Sequence, residues 1–301
     1  MSSGDWRAAL KTSVPHARFD EPLAKYTTFK IGGPADAIVD AQSTEDVLAV
    51  LRVARDHGVP LFVLGWGSNI LVKDRGVRGI TLRLAGEFTR VEFLDGGLVR
   101  AGAAVRVPQL VVACAERGLA GLEPIVGVPG SVGGALAMNA GTRDGEIGPF
   151  VEEILAADRR TLNARVFSKP ELAFSYREGP LENLVALSVL LRLKHGIKGD
   201  IMAVVARYQQ KRQLTQPIHT FNVGSTFKNP PGRFAAQMIE ELGLKGRAVG
   251  GARVSPLHAN FIENFAGAKA SDVLALVDLI RERARAIFGV GLELEMRIVG
   301  E

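Results

Sequence analysis

Ser225 stands in F-N-V-G-S-T-F-K-N-P, residues 221–230, directly after Gly224 and shortly before Lys228, Asn229 and Pro230. A serine that does chemistry alone is most often a nucleophile, presented on a G-x-S-x-G elbow and activated by a histidine. Here the frame is V-G-S-T-F, so the elbow is absent, and His219, the nearest histidine in sequence, is isolated. A triad assembled from distant segments and a plain strand serine beside a turn both fit these residues alone.

Two glycine-rich loops offer a second kind of chemistry. In V-L-G-W-G-S-N-I-L-V (63–72) an apolar strand runs into Gly65, Trp66, Gly67, Ser68 and Asn69. Glycines permit backbone angles that point successive N–H groups into one concavity, which favours phosphate oxygens. Ile70 stands where G-x-G-x-x-G would end in glycine, so a Rossmann site is poorly supported and a plain turn competes. In G-L-E-P-I-V-G-V-P-G-S-V-G-G-A-L-A-M-N-A-G (121–141), Gly127, Gly130, Gly133, Gly134 and Gly141 surround Val128, Pro129 and Ser131, with Asn139 near the end. No Walker lysine follows, which argues against an ATPase loop. Two such loops on one α/β domain suggest a bipartite ligand with a central pyrophosphate, hence a nucleotide cofactor. Metal chemistry is not expected: the five histidines are far apart, no H-x-x-x-H pair occurs, and there is no cysteine cluster.

Alternating and helical patterns supply the elements that must carry these loops. D-A-I-V-D-A (36–41) reads as a strand, and S-T-E-D-V-L-A-V-L-R-V-A-R-D-H-G (43–58) as a helix. Ser43 and Asp46 start that helix, Val47, Leu48, Val50, Leu51 and Ala54 form its stripe, and Gly58 stops it. Strands follow at 60–65 and 79–84, then a hairpin at 90–103 with D-G-G at its turn and a helix at 108–118. Paired strands are expected in V-E-E-I-L-A-A-D and A-R-V-F-S, a buried strand at 183–193, and a helix at 199–213. Beyond them lie a helix in G-R-F-A-A-Q-M-I-E-E-L-G, a strand in H-A-N-F-I-E-N, a helix from a Ser271 cap to Gly289, and a strand L-E-L-E-M-R-I-V-G. The composition shifts near K-H-G-I-K-G-D (194–200), a candidate boundary.

The 301 residues suggest about two domains, and 47% apolar content supports a sizeable core. A net charge of +5 suits an anionic ligand or nucleic acid. Scattered Lys and Arg and only 6% aromatic residues argue against nucleic acid, so none is expected as a partner. Cys114, the single cysteine, lies in an apolar helical run, excludes an internal disulfide and reads as core. M-S-S-G-D-W-R-A-A-L carries an early acid and no long apolar segment, so no signal peptide or membrane association is expected, and the cytoplasm is the expected compartment.

Taken together, the motifs resemble those of the UDP-N-acetylenolpyruvoylglucosamine reductases, flavoenzymes of bacterial peptidoglycan precursor synthesis. The resemblance runs from Y-T-T-F-K-I-G-G-P-A (26–35) to L-E-L-E-M-R-I-V-G (292–300). It includes L-G-W-G-S-N-I-L-V, E-P-I-V-G-V-P-G-S-V-G-G-A-L-A-M-N-A-G, F-S-Y-R-E-G (174–179), V-G-S-T-F-K-N-P and G-G-A-R-V-S-P-L-H-A-N-F-I-E-N (250–264). It implies an α+β fold: a vanillyl-alcohol-oxidase-type FAD-binding domain of two α/β subdomains, and a smaller α+β substrate-binding domain. The expected boundaries are 1–195, subdivided at 84/85, and 196–301, with the last strand returning to the FAD domain.

The same resemblance implies non-covalent FAD, NADPH as reductant and UDP-N-acetylglucosamine enolpyruvate as substrate, in a monomer. FAD would be cradled by Gly65, Gly67, Ser68, Asn69, Ile70, Gly127, Val128, Pro129, Gly130, Ser131, Gly133, Gly134 and Asn139. Hydride would pass from the flavin to the terminal methylene, pushing charge into the adjoining carboxylate, where Arg177 supplies planar donors. Glu295 would share a proton with that charge, although Glu293 is expected on the same face of the strand. Ser225 becomes the proton donor to the alpha carbon, which needs neither elbow nor triad. Lys228 and Asn229 would assist it or hold substrate phosphates, and Tyr176, His258 and Arg297 would line the substrate site, with a structural role competing at Tyr176 and His258. Trp66 departs from the small or polar residue expected at its position and would pack on adenine or face solvent, and no tyrosine-bearing insertion is expected in so short a chain. The competing readings are another FAD-dependent oxidase or dehydrogenase, a cofactor-free nucleotide-sugar binder, and a serine hydrolase.

Overall fold

Alternation of apolar residues along three neighbouring stretches builds the main sheet. In the computed structural model, which describes residues 5–301, five antiparallel strands run in the order Ala164–Ser168, Val151–Asp158, Leu184–Arg192, Leu98–Gly102 and Val91–Leu94. The expected hairpin closes with Leu94 opposite Leu98 around Asp95, Gly96 and Gly97. Residues 1–4, the start of the stretch read as lacking a signal peptide, lie outside the described residues.

The strand–helix–strand beginning is Pro34–Ala41, Thr44–Asp56 and Leu61–Val63, the last pairing in parallel with Ile80–Leu82 of the strand Val77–Leu84. The Ser43 hydroxyl accepts the Asp46 N–H at 3.4 Å, and Val47, Val50, Leu51 and Ala54 are buried as the stripe requires. Each such Val or Leu contributes about 1.5–3 kcal/mol when fully buried. Cys114 lies buried on the helix Val107–Ala115, where burial pushes its thiol up to about 12.

Contacts divide the chain into two compact units. The first comprises residues 1–19, 37–66 and 79–211; the second comprises 20–36, 67–78 and 212–301. Both are discontinuous, whereas the expected division at 195/196 is a single cut. One passage between units, 66/67, falls inside the first glycine loop. Among the described residues the first unit holds two apolar cores, around Val99–Val205 and around Leu10–Leu187. The second holds one, drawn from Phe29, Leu71, Phe227, Met238, Val254, Leu276, Met296 and their neighbours.

In the second unit, Ala248–Val249, Ala252–Val254 and Ile262–Asn264 form a small antiparallel sheet beside the helices Ala235–Glu241 and Ala270–Phe288. Ser271 does not cap the longer helix as expected; the helix begins at Ala270, one residue earlier, with Lys269 at the cap. Its first free N–H groups go to Asp74, whose carboxylate accepts from Ala270 at 2.7 Å and Ser271 at 3.1 Å. Gly289 ends it in the left-handed conformation, as expected. The terminal stretch 292–300 is not one strand: the chain bends at Glu295–Met296, with Leu294 before the bend in a single antiparallel bridge to Phe227 and Arg297–Val299 after it pairing in parallel with Ile70–Val72. Among the described residues no helix is long and apolar enough to cross a membrane.

Candidate active site

Gly65, at the start of the first glycine loop, meets the second loop within the first unit. A Cβ at Gly65 would lie 2.6 Å from the Ser131 hydroxyl oxygen and 3.9 Å from the Gly134 Cα, so glycine is what lets the first loop approach Ser131 this closely. Ser131 begins the short helix Val132–Ala137, and its Oγ accepts the Gly134 N–H at 3.3 Å. The second loop is tied down along the segment before the helix Val107–Ala115. Val107 N–H donates to Gly130 O, Val132 N–H to Val105 O and Gly133 N–H to Ala103 O, at 2.8–3.0 Å. Gly65 and Gly130 are half-buried and Gly134 is exposed, so backbone stays uncovered where the loops meet, a surface of the kind that suits a pyrophosphate. Gly127, Val128 and Pro129 stand partly or fully exposed at the start of the loop.

Trp66 does not lie loose. Its ring is covered by the Arg106 guanidinium, 3.6 Å from the ring centroid, and it remains 38% exposed. The pair is a cation–π contact that adds a positive charge beside the loops. Asn139 departs from expectation. It is fully buried with φ 42°, its amide donates to Ser175 O at 3.0 Å, and its Oδ1 accepts the Gly148 N–H at 3.1 Å. Its side chain is therefore occupied in joining two loops.

The Ser175 carbonyl that Asn139 holds is the base of a tight turn. Ser175 and Glu178 exchange both backbone hydrogen bonds, at 2.9 and 3.1 Å, with Tyr176 and Arg177 at the tip. Arg177 adopts φ 61°, a left-handed conformation uncommon outside glycine. Such strain concentrates at functional positions. Its guanidinium lies 5.0 Å from the Tyr176 ring centroid, and Tyr176 is 54% exposed.

Ser225, Glu295 and Asn69 belong to the second unit, which brings them together through the backbone. Gly224, at φ 79°, turns the chain into Ser225 while its N–H donates to Asn222 Oδ1. Past Ser225, the Thr226 carbonyl accepts the N–H groups of Glu295 at 2.9 Å and Met296 at 3.3 Å. Phe227 and Leu294 form an antiparallel bridge, and Lys228 N–H donates to Glu293 O. Asn69 closes the other side: its side-chain amide donates to Glu295 O, and its carbonyl accepts the Arg297 N–H, both at 3.0 Å. Expected to face the cofactor, the Asn69 amide instead holds the Glu295 backbone. Gly67, two residues earlier, has φ 66° and packs so closely that a Cβ would lie 2.8 Å from the Thr27 Cα. Ser68 and Ile70 complete this stretch, Ile70 lying opposite Arg297.

The two glutamates differ in this geometry. Glu293 has a 77% exposed side chain and pairs with Lys228 at 3.5 Å, an exposed contact of small energetic weight. Glu295 is half-buried at the bend beside the Ser225 segment. The bend also removes the shared strand face expected for the two acids. Three expected substrate contacts have other occupations. Asn229 Oδ1 accepts the Ala235 N–H at 3.1 Å and caps the helix Ala235–Glu241. Lys228 reaches Glu293. His258 is held edge-on to Phe261, with centroids 4.7 Å apart, and its Nδ1 accepts the Asn260 N–H at 3.3 Å. Burial lowers the His258 pKa, and the neutral ring with its proton on Nε2 suits that acceptor role. Arg297 is exposed at the start of the last strand.

Two family domains match successive parts of the chain. Residues 35–160 match an FAD binding domain, and residues 216–299 match the C-terminal domain of UDP-N-acetylenolpyruvoylglucosamine reductase. The UDP-N-acetylenolpyruvoylglucosamine reductase of Rubrobacter xylanophilus is 44% identical, the match covering 97% of this chain and 98% of that protein. A second such reductase, from Symbiobacterium thermophilum, is 40% identical over 93% of this chain and 91% of its own length. The crystal structure of the reductase from Thermus caldophilus superposes with a TM-score of 0.81 at 37% identity, covering 95% of this chain and 98% of that one. Berberine bridge enzyme shares the fold alone, with a TM-score of 0.50 at 14% identity over 64% of this chain and 44% of its own. The expected α+β flavin-binding fold is thereby borne out, and this chain belongs to the UDP-N-acetylenolpyruvoylglucosamine reductase family.

Proposed function

We propose that this protein reduces the enolpyruvyl ether of UDP-N-acetylglucosamine enolpyruvate to UDP-N-acetylmuramate, using NADPH and non-covalent FAD, with Ser225 as proton donor. The observation that carries this reading is the direct backbone pairing of the Ser225 segment with Glu295. It places a hydroxyl and a carboxyl on adjoining segments of a chain whose relatives bear the reductase name.

The residues of both glycine loops fit a dinucleotide, because Gly65 brings the first loop close to Ser131 and the glycines there leave backbone uncovered. Gly65, Gly67, Ser68, Gly127, Gly130 and Gly134 would hold its pyrophosphate and adenosine portions through backbone. FAD, when bound and reduced, supplies the hydride that the substrate methylene receives. Arg177 lies at a strained turn tip and pairs with the substrate carboxylate, where negative charge grows. Glu295 lends a proton to that charge. Ser225 Oγ gives its proton to the alpha carbon and regains one from solvent, so the product gains two hydrogens across the former double bond. Lys228 and Arg297 supply positive charge toward the nucleotide phosphates, and Tyr176 packs against the sugar. In this reading residues 1–195 carry the flavin and 196–301 the sugar nucleotide, a division supported by the family matches at 35–160 and 216–299. One chain provides every group named, and the enzyme acts as a monomer.

Ser225→Ala tests the reading. The variant should keep its flavin and its bleaching by NADPH but lose product formation by about a thousandfold or more. Normal turnover would remove Ser225 from the mechanism.

A further inference from the structure

Ser225 is half-buried in an irregular stretch, so a separate device must hold its hydroxyl still. Asn260 is that device by its bonding. It is 4% exposed, and its side chain takes both polar groups of one peptide unit's residue: Oδ1 accepts the Phe227 N–H at 2.9 Å, and Nδ2 donates to Phe227 O at 2.8 Å. A carboxamide bonded in this way replaces a missing β-strand partner, with buried bonds that are costly to leave unmade. Its own carbonyl accepts the Thr226 N–H at 2.8 Å, and its own N–H goes to His258 Nδ1. Ser255 Oγ, which accepts from Leu257 and His258, fixes the other end of the same turn. Both residues that follow Ser225 are therefore gripped by one buried side chain and its backbone.

We propose that Asn260 is a positioning residue for proton delivery: it holds the Thr226–Phe227 backbone so that Ser225 Oγ stays aimed at the substrate's alpha carbon. The inference rests on Ser225 being the proton donor. Asn260 touches neither substrate nor cofactor in this account, and it acts only through the peptide it grips. The neighbouring Thr226 carbonyl, which receives Glu295 and Met296, carries the same restraint to the acid.

The test uses the flavin-loaded enzyme and the isosteric variant Asn260→Asp, which removes the donor to Phe227 O. Two steps are timed without oxygen: bleaching of the flavin by NADPH, and its return on adding the enolpyruvyl substrate. Bleaching should stay within about twofold of the parent, while the return slows by about a hundredfold, as expected when a reacting group moves by an ångström or so. The solvent deuterium isotope effect on the return should rise as proton delivery becomes limiting. Equal slowing of both steps, or an unchanged isotope effect, would reduce Asn260 to general scaffolding and overturn the proposal. A return at the parent rate would overturn it too. If Ser225→Ala is inactive while Asn260→Asp is normal, only the positioning inference fails; if Ser225→Ala turns over, the proton-donor reading itself fails. Should the aspartate variant not fold, amide hydrogen exchange in the parent decides. Slow exchange at Thr226 and Phe227, at the level of the core helices, supports the clamp, and fast exchange there contradicts it.

Discussion

The glycine contact at Gly65 and Ser131 in the first unit and the backbone around Ser225 in the second achieve close placement in opposite ways. In the first unit the working feature is what is missing: Gly65 has no side chain, and the Ser131 hydroxyl stands where one would go. In the second unit the working feature is added bonding. Asn69, Asn222 and Asn260 spend their carboxamides on backbone groups around Glu295, Gly224 and Phe227. Under the proposed function, the loops as a cofactor's cradle must leave backbone uncovered, whereas Ser225 as a proton donor on an irregular segment must be tied down. Substitutions should therefore fail differently in the two regions, by obstruction in one and by slackness in the other.

The largest contrast lies between the two glutamates. Glu295→Gln should slow product formation by about a hundredfold or more, with flavin bleaching by NADPH preserved. Glu293→Gln should change the same rate by less than about threefold, since its pair with Lys228 is exposed. A reversal of these two results would move the acid to Glu293 and undo the role assigned to the bend.

Obstruction is tested by Gly65→Val. The added side chain would press on Ser131, so the purified variant should carry little flavin, its affinity for FAD weakened by about ten- to a hundredfold. Its second unit should be unaffected, with Thr226 and Phe227 amide exchange unchanged. Full flavin content in this variant would mean that the place where the loops meet is not the cofactor's seat.

The smallest effect concerns His258. Its pKa is lowered from the usual 6.5 chiefly by burial. Above pH 6.5 the ring is neutral in both folded and unfolded chains, and it costs nothing. As the pH falls below that value, the unfolded chain takes the proton first, so stability drops until the folded pKa is reached. Melting temperatures from pH 8 to pH 5 should show this loss in the parent and less of it in His258→Gln. An identical pH dependence in both would remove His258 from the set of buried groups.

Much of the fold was legible because its signals are local. The Ser43 start and the Val47–Ala54 stripe, the D-G-G hairpin and the Gly289 stop each depend on a few adjacent residues. The glycine loops were legible as turns for the same reason, and the FAD binding domain matched at 35–160 contains both. The helix start at Ala270 was misplaced because its cap comes from Asp74, nearly two hundred positions away in the chain. The terminal strand was drawn too long because the bend at Glu295 depends on the Thr226 carbonyl and the Asn69 amide, not on a glycine or proline. Ser225, Arg177 and Glu295 came through the family resemblance rather than from their own spacing. Asn260 was missed altogether: a buried asparagine carries no periodicity, and its worth lies in a peptide 33 positions earlier. Asn139 and Asn229 show the same limit in reverse, since polar residues in ligand-like motifs turned out to bond the protein itself.

The most direct test of the central claim is one anaerobic titration of the purified protein followed in the visible spectrum. The flavin absorbance should bleach on adding NADPH and return on adding UDP-N-acetylglucosamine enolpyruvate, in equal amounts. A protein that takes up no flavin even when FAD is supplied, or a bleached flavin that this substrate fails to restore, would contradict the account.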